Sequence, residues 1–387
     1  MYVHVPFCER VCPYCDFAVI AARPLTRELE DRFVAGLLVE LERRAPAFDG
    51  RRLASLYFGG GTPSLLHPES VERVVEAVHR AFPASPEAAV EITLEVNPST
   101  LERSRLPDFR SAGVARVSVG VQSFQDPVLK RLGRAHGAAE AHRTLAACRD
   151  AGFPSLSLDL IYAAPGQSAG DLERDLAEVT SFAPEHVSAY ELSVEAGTPF
   201  ALARERGQLE LPAEDVALAM ARNLEERLAA AGIQRYEISS YARPGCEAVH
   251  NTRYWRRRPV LGIGPSAVST DPPVSDQTPF GSRRRNLPAV VPWLEGIESG
   301  SAAEASPPEV FDAATARGEA VFLALRELRG LDAGRFAGEF GAPPRQFFAA
   351  EIDELRADGL VDEDADGSLR LTRPGRQLAD TVFVRFV

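Results

Sequence analysis

From residue 1 to about residue 240, short runs of apolar and β-branched residues alternate with longer amphipathic stretches. This alternation is typical of repeated βα units, in which helices cover a parallel sheet. The runs that we predict as strands are residues 2–5, 53–58, 90–96, 114–120, 156–161 and 186–192. Six such strands fit a partial barrel, so the predicted fold class is α/β with a partial (β/α)6 barrel.

The βα rhythm breaks after this region. Residues from about 233 to 300 are rich in Pro, Gly, Arg and Ser, and residues 301–387 are mostly helical in pattern. We therefore divide the chain into a barrel over residues 1–240, a connecting segment over 241–300 and a smaller domain over 301–387.

The smaller domain has the outline of a winged helix. Helices are predicted over residues 310–328 and 345–358, followed by a hairpin around Asp366 and Gly367 and a last helix after Pro374. Residues 307–387 contain ten Arg against fifteen Asp and Glu, and the whole chain has a net charge of -12. Because phosphate binding relies on clustered Lys and Arg, this balance argues against nucleic acid as a partner. We expect a protein-contact or lid domain.

Unusual motifs follow each of the first five predicted strands. In chain order they are a cysteine cluster, GGGTPS (59–64), EVNP (95–98), GVQSF (120–124) and DLIYAAPGQ (159–167). The carboxyl ends of parallel strands carry the ligands in folds of this kind. The sequence therefore predicts one binding site at this rim.

The cysteine cluster consists of Cys8, Cys12 and Cys15 in a CxxxCxxC spacing. A [4Fe-4S] cluster normally takes four cysteines, so three leave one iron open. The amino and carboxylate groups of S-adenosylmethionine (SAM), a cofactor of radical chemistry, can chelate that iron. The alternative is a partial zinc site or unrelated reduced thiols. A zinc site needs a fourth Cys or His at its own spacing, and Cys148 and Cys246 are isolated.

Polar and glycine positions along the same rim suit a ligand that combines a nucleoside with an amino acid. Three glycines in a row let backbone approach a ligand closely, although they could also form only a tight turn. The acidic and amide groups offer acceptors for an amine and ribose hydroxyls, and an arginine offers a cation for a carboxylate. Any one of them alone could be a solvated or capping residue. The candidate SAM-binding residues are Gly60, Gly61, Thr62, Glu95, Gln122, Arg134 and Asp159.

The connecting segment contains the run HNTRYW, with His250, Tyr254 and Trp255, followed by three arginines. Imidazole can ligate haem iron, and arginines can pair with propionates. The alternative is a histidine whose hydrogen bonds are satisfied in an aromatic-lined loop. Taken alone, the residues favour this second interpretation.

Cysteine usage indicates where the protein works. Three of five cysteines form the candidate cluster site, and the sequence contains neither a signal peptide nor an apolar run long enough to span a membrane. These features predict a reducing, cytoplasmic location.

Eight longer sequence motifs are informative as a set. They are YVHVPFC, GGGTPS, RVSVGVQSF, LKRLGRAH, DLIYAAPGQ, YEISSYARPG, HNTRYW and LGIGPSAVS. Together they closely resemble the HemW family of radical-SAM haem chaperones over nearly the whole chain. That family is in turn similar to the oxygen-independent coproporphyrinogen III dehydrogenases, HemN.

The resemblance implies roles for individual residues. Cys8, Cys12 and Cys15 would ligate the cluster, and the candidate residues at the rim would line the SAM site, with Tyr2 beside it. His250 falls in the HNxxYW motif that is associated with haem binding, which reverses the preference reached from the residues alone. The resemblance also implies haem, haem donor and acceptor haemoproteins, transient contact with membrane respiratory proteins and a homodimer.

Two departures separate the chain from the dehydrogenase branch. That branch typically carries a further cysteine two positions after the third, where this chain has Phe17, and it has an amino-terminal extension before its first strand. Both departures favour a haem chaperone. The alternative is radical-SAM decarboxylation of coproporphyrinogen III propionates, and a third reading is a radical-SAM oxidoreductase with another substrate.

Overall fold

The computed structural model describes residues 1–84, 89–274, 276, 278–301 and 303–387. Six parallel strands form the centre of one sheet and pair in chain order. They are β1 (Tyr2–Val5), β2 (Ser55–Gly60), β3 (Glu91–Val96), β4 (Arg116–Gln122), β5 (Ser155–Tyr162) and β6 (His186–Glu191). Each lies within two residues of its predicted position at both ends. The sheet does not close on itself among these residues, which confirms the predicted partial barrel.

Helices cover the outer face of this sheet. They are Arg27–Arg44, Pro68–Ala81, Thr100–Ser111, Ala138–Asp150, Ala169–Phe182 and Glu214–Ala230. Two further helices, Asp126–Arg131 and Pro199–Glu205, pack in a separate apolar cluster with Tyr14 of the cysteine loop. Along the strands, apolar residues packed under the helices alternate with residues on the inner face, as Val117, Val119 and Val121 alternate with Ser118, Gly120 and Gln122 in β4. In β4 every residue except Gln122 is buried. The core of the domain therefore lies between the helices and the outer face of the strands, while the inner face surrounds a cavity.

The connecting segment packs against the barrel. Gly262–Ile263 pairs in parallel with β1, and Ser240–Ala242 pairs antiparallel with β6, followed at that edge by Gln234–Arg235. The helix Val290–Ser299 places Trp293, which is fully buried, against Phe33. The segment also contains the helix Val249–Trp255 and the strands Val268–Asp271 and Ser282–Arg285. These two strands form a small sheet with Glu309–Val310, which follows the segment.

A second apolar core, centred on Val321, Phe336, Ile352 and Leu369, holds the carboxyl-terminal domain together. Its elements are Ala313–Leu325, Ala333–Phe340, Arg345–Ala357, the hairpin Val361–Glu363 with Leu369–Leu371, and the short helices Arg373–Gln377 and Ala379–Phe383. This is the winged-helix-like order that the sequence predicts, with one additional helix, Ala333–Phe340. Among the described residues, no helix has both the length and the apolar character needed to cross a bilayer.

Candidate functional site

A cavity of about 400 Å³ opens at the carboxyl ends of β1 to β6 and runs down the inside of the barrel. Near its mouth it is lined by Cys8, Cys12, Cys15, Gly60, Gly61, Thr62, Glu95, Gln122, Arg134 and Asp159. The structure therefore brings together ten of the residues that the sequence singles out, drawn from five different strand ends. The floor of the cavity is formed by the start of the HNTRYW helix, at Ala248 and Asn251.

The cysteine loop is tied back onto the barrel by its backbone. Phe7–Cys8 pairs with Ile20–Ala21, and the Ala22 amide donates to the Cys8 carbonyl at 2.9 Å. The three thiols are half-buried, and none forms a disulfide. Burial raises the pKa of the Cys8 thiol to about 11. A thiolate at this position therefore needs a positive partner, which a bound iron supplies.

The donor set suits a cluster. Among the described residues, no three His, Cys, Asp or Glu side chains converge on a point that would hold a single metal ion. The cysteines instead line one wall of a shared cavity, and a cubane offers its irons at separate corners. A Cβ added to Gly61 would lie 3.0 Å from Cys8 Sγ and 2.6 Å from the Phe7 carbonyl oxygen. The space beside Cys8 Sγ is therefore open because residue 61 is glycine.

Glu95 lies near the end of β3, half-buried next to the glycine segment. It accepts a hydrogen bond from the Tyr57 hydroxyl at 2.7 Å and another from the Gly60 amide at 3.1 Å. Burial raises the pKa of this carboxyl group to about 7, and the two hydrogen bonds offset part of that effect. An amine in the cavity would find here a hydrogen-bond acceptor that is held in position.

Arg134 reaches the cavity from the loop after the helix Asp126–Arg131. Its Nη2 atom donates to Asn97 Oδ1 at 2.5 Å and to the Gly120 carbonyl at 2.9 Å, and Nη1 approaches Cys12 Sγ at 3.6 Å. Its buried Nε atom has no hydrogen-bond partner among the described residues. The guanidinium group is half-buried next to the cysteine loop, where its positive charge can pair with a carboxylate.

Asp159 and Gln122 complete the wall opposite the cysteines. Ser118 donates to Asp159 Oδ1 at 3.0 Å, and burial raises the pKa of Asp159 to about 6. Gln122 has a left-handed backbone, with φ 66°, where the pairing of β4 with β5 shifts register. This irregularity is the kind that redirects a side chain next to a site.

Tyr2 does not line the main cavity. Its ring stacks 6.2 Å from those of Tyr57 and His250, and its hydroxyl shares a hydrogen bond of 2.9 Å with His4 Nδ1. It borders a smaller space of about 290 Å³ that it shares with Gly60 and Glu95. This position is beside the SAM candidates, as the resemblance implies.

His250 lies deep inside the barrel, 2% exposed. Its Nδ1 atom shares a hydrogen bond of 3.0 Å with Ser55 Oγ, and its Nε2 atom shares one of 3.2 Å with the Tyr254 hydroxyl. The ring stacks on Tyr57 with centroids 4.9 Å apart. Burial lowers the pKa of His250 well below its usual value, so the imidazole is neutral. Both ring nitrogens are engaged, as in the alternative raised from the residues alone.

The residues that follow His250 join the barrel to the carboxyl-terminal domain. Arg256 pairs with Glu327 at 3.0 Å, and Arg257 pairs with Glu319 at 2.9 Å and Glu339 at 2.8 Å. The Arg326 guanidinium lies 4.4 Å above the Trp255 ring. The sequence offers three arginines after Trp255 as partners for haem propionates. Two of them, Arg256 and Arg257, pair with carboxylates of this protein instead.

Three residues at the site were not singled out individually in the sequence analysis. Asn97 bridges Thr62 and Arg134, Tyr57 positions Glu95, and Tyr14 lies 3.5 Å from Arg134 Nη1. Asn97 belongs to the EVNP motif, so its position at a strand end was a usable signal. Tyr57 and Tyr14 carried no such signal, since an aromatic residue in or beside a strand usually belongs to a core.

Comparison with known proteins gives the family. Residues 2–179 match the Radical SAM superfamily, and residues 312–378 match the HemN C-terminal domain. A Mycobacterium tuberculosis protein named "Heme chaperone HemW" is 36% identical over 99% of this chain and 93% of its own length. The protein of that name from Bacillus subtilis is 30% identical over 100% of this chain and 98% of its own length.

A solved structure agrees with the fold. The structure of coproporphyrinogen III oxidase (HemN) from Escherichia coli, described as a radical SAM enzyme, matches 100% of this chain and 89% of its own. Its TM-score is 0.82 at 25% sequence identity. The match confirms the predicted fold class, and the full-length relatives decide between the branches. This chain belongs to the HemW family of radical-SAM proteins.

Proposed function

We propose that this chain is a haem chaperone of the HemW type, which binds haem and transfers it to acceptor haemoproteins. The observation that carries the proposal is the match, over almost the whole of both chains, to proteins named "Heme chaperone HemW". The radical-SAM superfamily implies a [4Fe-4S] cluster and SAM as cofactors. When bound together, these two groups can supply one-electron chemistry.

Within this proposal, Cys8, Cys12 and Cys15 would hold the cluster at the wall of the cavity and leave one of its irons without a protein ligand. Glu95 accepts from the SAM amino group, and Arg134 pairs with its carboxylate. At Gly60, Gly61 and Thr62 the backbone can approach SAM closely. Asp159 accepts hydrogen bonds from the ribose hydroxyls, and Gln122 can donate to them or accept from them. The contacts that support these roles are those that position the half-buried Glu95 carboxylate and the Arg134 guanidinium group beside Cys12.

SAM affinity is expected to rise with pH through the titration of Glu95. Burial holds its pKa at about 7, so at acid pH the carboxyl group is neutral and accepts only a weak hydrogen bond from the SAM amine. Binding the amine favours the ionised form, so affinity should increase from about pH 5.5 and level off above about pH 7.5. Isothermal titration calorimetry on the reconstituted protein measures this directly.

A matched pair of variants separates this effect from the titration of Asp159. Glu95→Gln should lower SAM affinity at about pH 8 by roughly 10-fold or more, as expected for a lost charged hydrogen bond, and should flatten the pH profile. Asp159→Asn should keep the rise but move it to lower pH, because the charge of Asp159 helps to raise the pKa of Glu95. An unchanged profile in Glu95→Gln would remove Glu95 from the amine site.

For haem, we propose His250 as the ligand and the HNTRYW helix, with Tyr254 and Trp255, as its surroundings. Ligation requires a ring nitrogen to exchange a protein partner, either Ser55 or Tyr254, for iron. Tyr254→Phe, which frees Nε2, is therefore expected to keep or strengthen haem binding, whereas His250→Ala should remove the ligand field seen in the absorption spectrum. Loss of binding in both variants would point to a structural role for His250.

A second candidate function, coproporphyrinogen III decarboxylation, is favoured by the likeness to the HemN structure. Against it stands Phe17, which is 64% exposed beside the cavity where the dehydrogenases carry a further cysteine. Reconstituted protein supplied with SAM, a reductant and coproporphyrinogen III should produce no protoporphyrinogen IX, while the same preparation binds haem. Formation of protoporphyrinogen IX would overturn the chaperone assignment.

The remaining partners follow from the chaperone role. We propose a haem donor and acceptor haemoproteins in the cytoplasm, with transient contact to membrane respiratory proteins, and a homodimer. The acidic carboxyl-terminal domain is suited to protein contact, as its net charge of -5 over residues 307–387 opposes binding to phosphate.

A further inference from the structure

A second cavity of about 420 Å³ lies at the amino ends of the barrel strands, the end opposite the cysteine loop. It is lined by Met1, Phe48, Gly50, Arg51, Arg52, Leu53, Ala54, Ser55, Phe82, Arg253, Pro259, Val260 and Leu261. We call it the amino-end pocket. Leu53 to Ser55 lead into β2, and Leu261 precedes the edge strand Gly262–Ile263, which places the pocket at the start of the strands.

The charges in this pocket are of one sign. It is lined by Arg51, Arg52 and Arg253, and no Asp or Glu is among its described lining residues. Within the described part of the chain, the side chains of Arg51 and Arg253 take part in no ion pair or hydrogen bond, whereas Arg52 donates to the Ala84 carbonyl at 3.2 Å. All three arginines therefore keep donors for an anion.

Arg253 is the most constrained of the three. It is half-buried on the HNTRYW helix, and burial, followed by repulsion from Arg258, Arg256 and Arg51, lowers its pKa. A desolvated cation without a counter-ion costs free energy that a bound anion would recover. An anion seated here would also relieve the repulsion between Arg253 and Arg51.

Apolar side chains supply the rest of the wall. Phe48, Leu53, Phe82, Val260 and Leu261 are each less than 9% exposed. A pocket with an apolar wall and a few convergent cations selects a ligand that has an apolar body and carboxylate groups. Free phosphate or a small sugar acid would leave the apolar wall unused.

The pocket also touches the motif assigned to haem. Arg253 belongs to the same helix as His250, and Ser55, which lines the pocket, shares a hydrogen bond with His250 Nδ1. The same helix contributes Asn251 to the floor of the barrel cavity. One seven-residue helix therefore separates the two cavities.

We propose that the amino-end pocket receives the propionate edge of haem, with Arg51 and Arg253 pairing with the carboxylates and the apolar wall packing on the porphyrin. This inference rests on the proposed function and specifies where haem binds. It places haem and the cluster on opposite sides of the HNTRYW helix. A haem seated there lies outside the cavity in which a SAM-derived radical would form, as suits carriage of haem without its modification.

Haem and its dimethyl ester test the proposal, because the ester has no carboxylates. The titrations use the reconstituted full chain and follow absorbance with both porphyrins in the same detergent. Wild-type protein should bind haem at least about 10-fold more tightly than the ester, the size expected when charged hydrogen bonds are lost. The double variant Arg51→Gln with Arg253→Gln should lose this preference. So should Arg51→Glu, a change at an exposed position on which the fold does not depend.

Arg80→Gln, a change at an exposed arginine of the helix Pro68–Ala81, is the matched control and should keep the full preference. If wild-type protein binds haem but the arginine variants keep the preference, the pocket assignment is wrong and the chaperone function stands. The same conclusion follows if wild-type protein binds the ester as tightly as haem. If wild-type protein binds neither porphyrin, the function and the pocket assignment both fall.

Discussion

Replacing Cys8 by Ser is expected to abolish the iron–sulfur cluster. The loop supplies three thiolates for four irons, so no cysteine is redundant, and a serine hydroxyl is a poor substitute for a thiolate on iron. Anaerobically reconstituted Cys8→Ser protein should contain little bound iron or sulfide and lack the brown cluster absorption. Cys12→Ser and Cys15→Ser should behave in the same way.

Cys246→Ser provides the control, since Cys246 is a partly exposed free cysteine far from the loop in sequence and outside the cavity lining. It should keep wild-type iron and sulfide. A Cys8→Ser protein with normal iron and sulfide content would refute the assignment of the cysteine loop as the cluster site.

The second large effect concerns stability. Trp293→Ala is expected to lower the free energy of unfolding by about 3–5 kcal/mol, the usual cost of removing a buried aromatic side chain. Trp293 is fully buried, its ring lies 5.7 Å from that of Phe33, and it closes onto Gly36 of the helix Arg27–Arg44. Denaturant unfolding followed by circular dichroism gives the difference.

Val291→Ala on the same helix is the control, because Val291 is 53% exposed and its truncation opens no cavity. It should change stability by less than about 0.5 kcal/mol. Equal small effects of both substitutions would mean that the helix Val290–Ser299 contributes little to the barrel core, contrary to its packing.

The barrel could be predicted from the sequence because each strand carries a row of buried apolar residues on its helix-facing side. Such strands are recognised even when their predicted ends are wrong by one or two residues, as for β3 and β4. The site could be predicted because parallel strands bring their carboxyl ends to one rim, so motifs after five strands had to meet. Glu95, Arg134 and Asp159 line one cavity for this reason.

The partners of His250, Arg256 and Arg257 could not be predicted in this way. The hydrogen bond of His250 to Ser55 joins residues 195 positions apart, and no local pattern encodes such a pair. The pairing of Arg256 and Arg257 with carboxylates of the carboxyl-terminal domain is equally non-local. The same composition, an imidazole, aromatic rings and arginines, suits a haem site and an internal scaffold alike.

The structure links the two proposed ligand sites through Tyr57. Its ring stacks on His250, and its hydroxyl donates to Glu95 in the SAM candidate site. A movement of His250 toward haem would therefore displace the Tyr57 ring and, through its hydroxyl, change the hydrogen bond to Glu95. This contact gives a physical route by which haem and SAM could influence each other's affinity.

The central claim is a cluster held by three cysteines, with its open iron facing the SAM candidates. Electron paramagnetic resonance of the reduced, reconstituted protein, recorded with and without SAM, tests this claim most directly. SAM should change the spectrum of the wild-type cluster and should have a much weaker effect in a variant that combines Glu95→Gln with Arg134→Gln. A wild-type spectrum that SAM leaves unchanged would contradict an open corner facing this cavity.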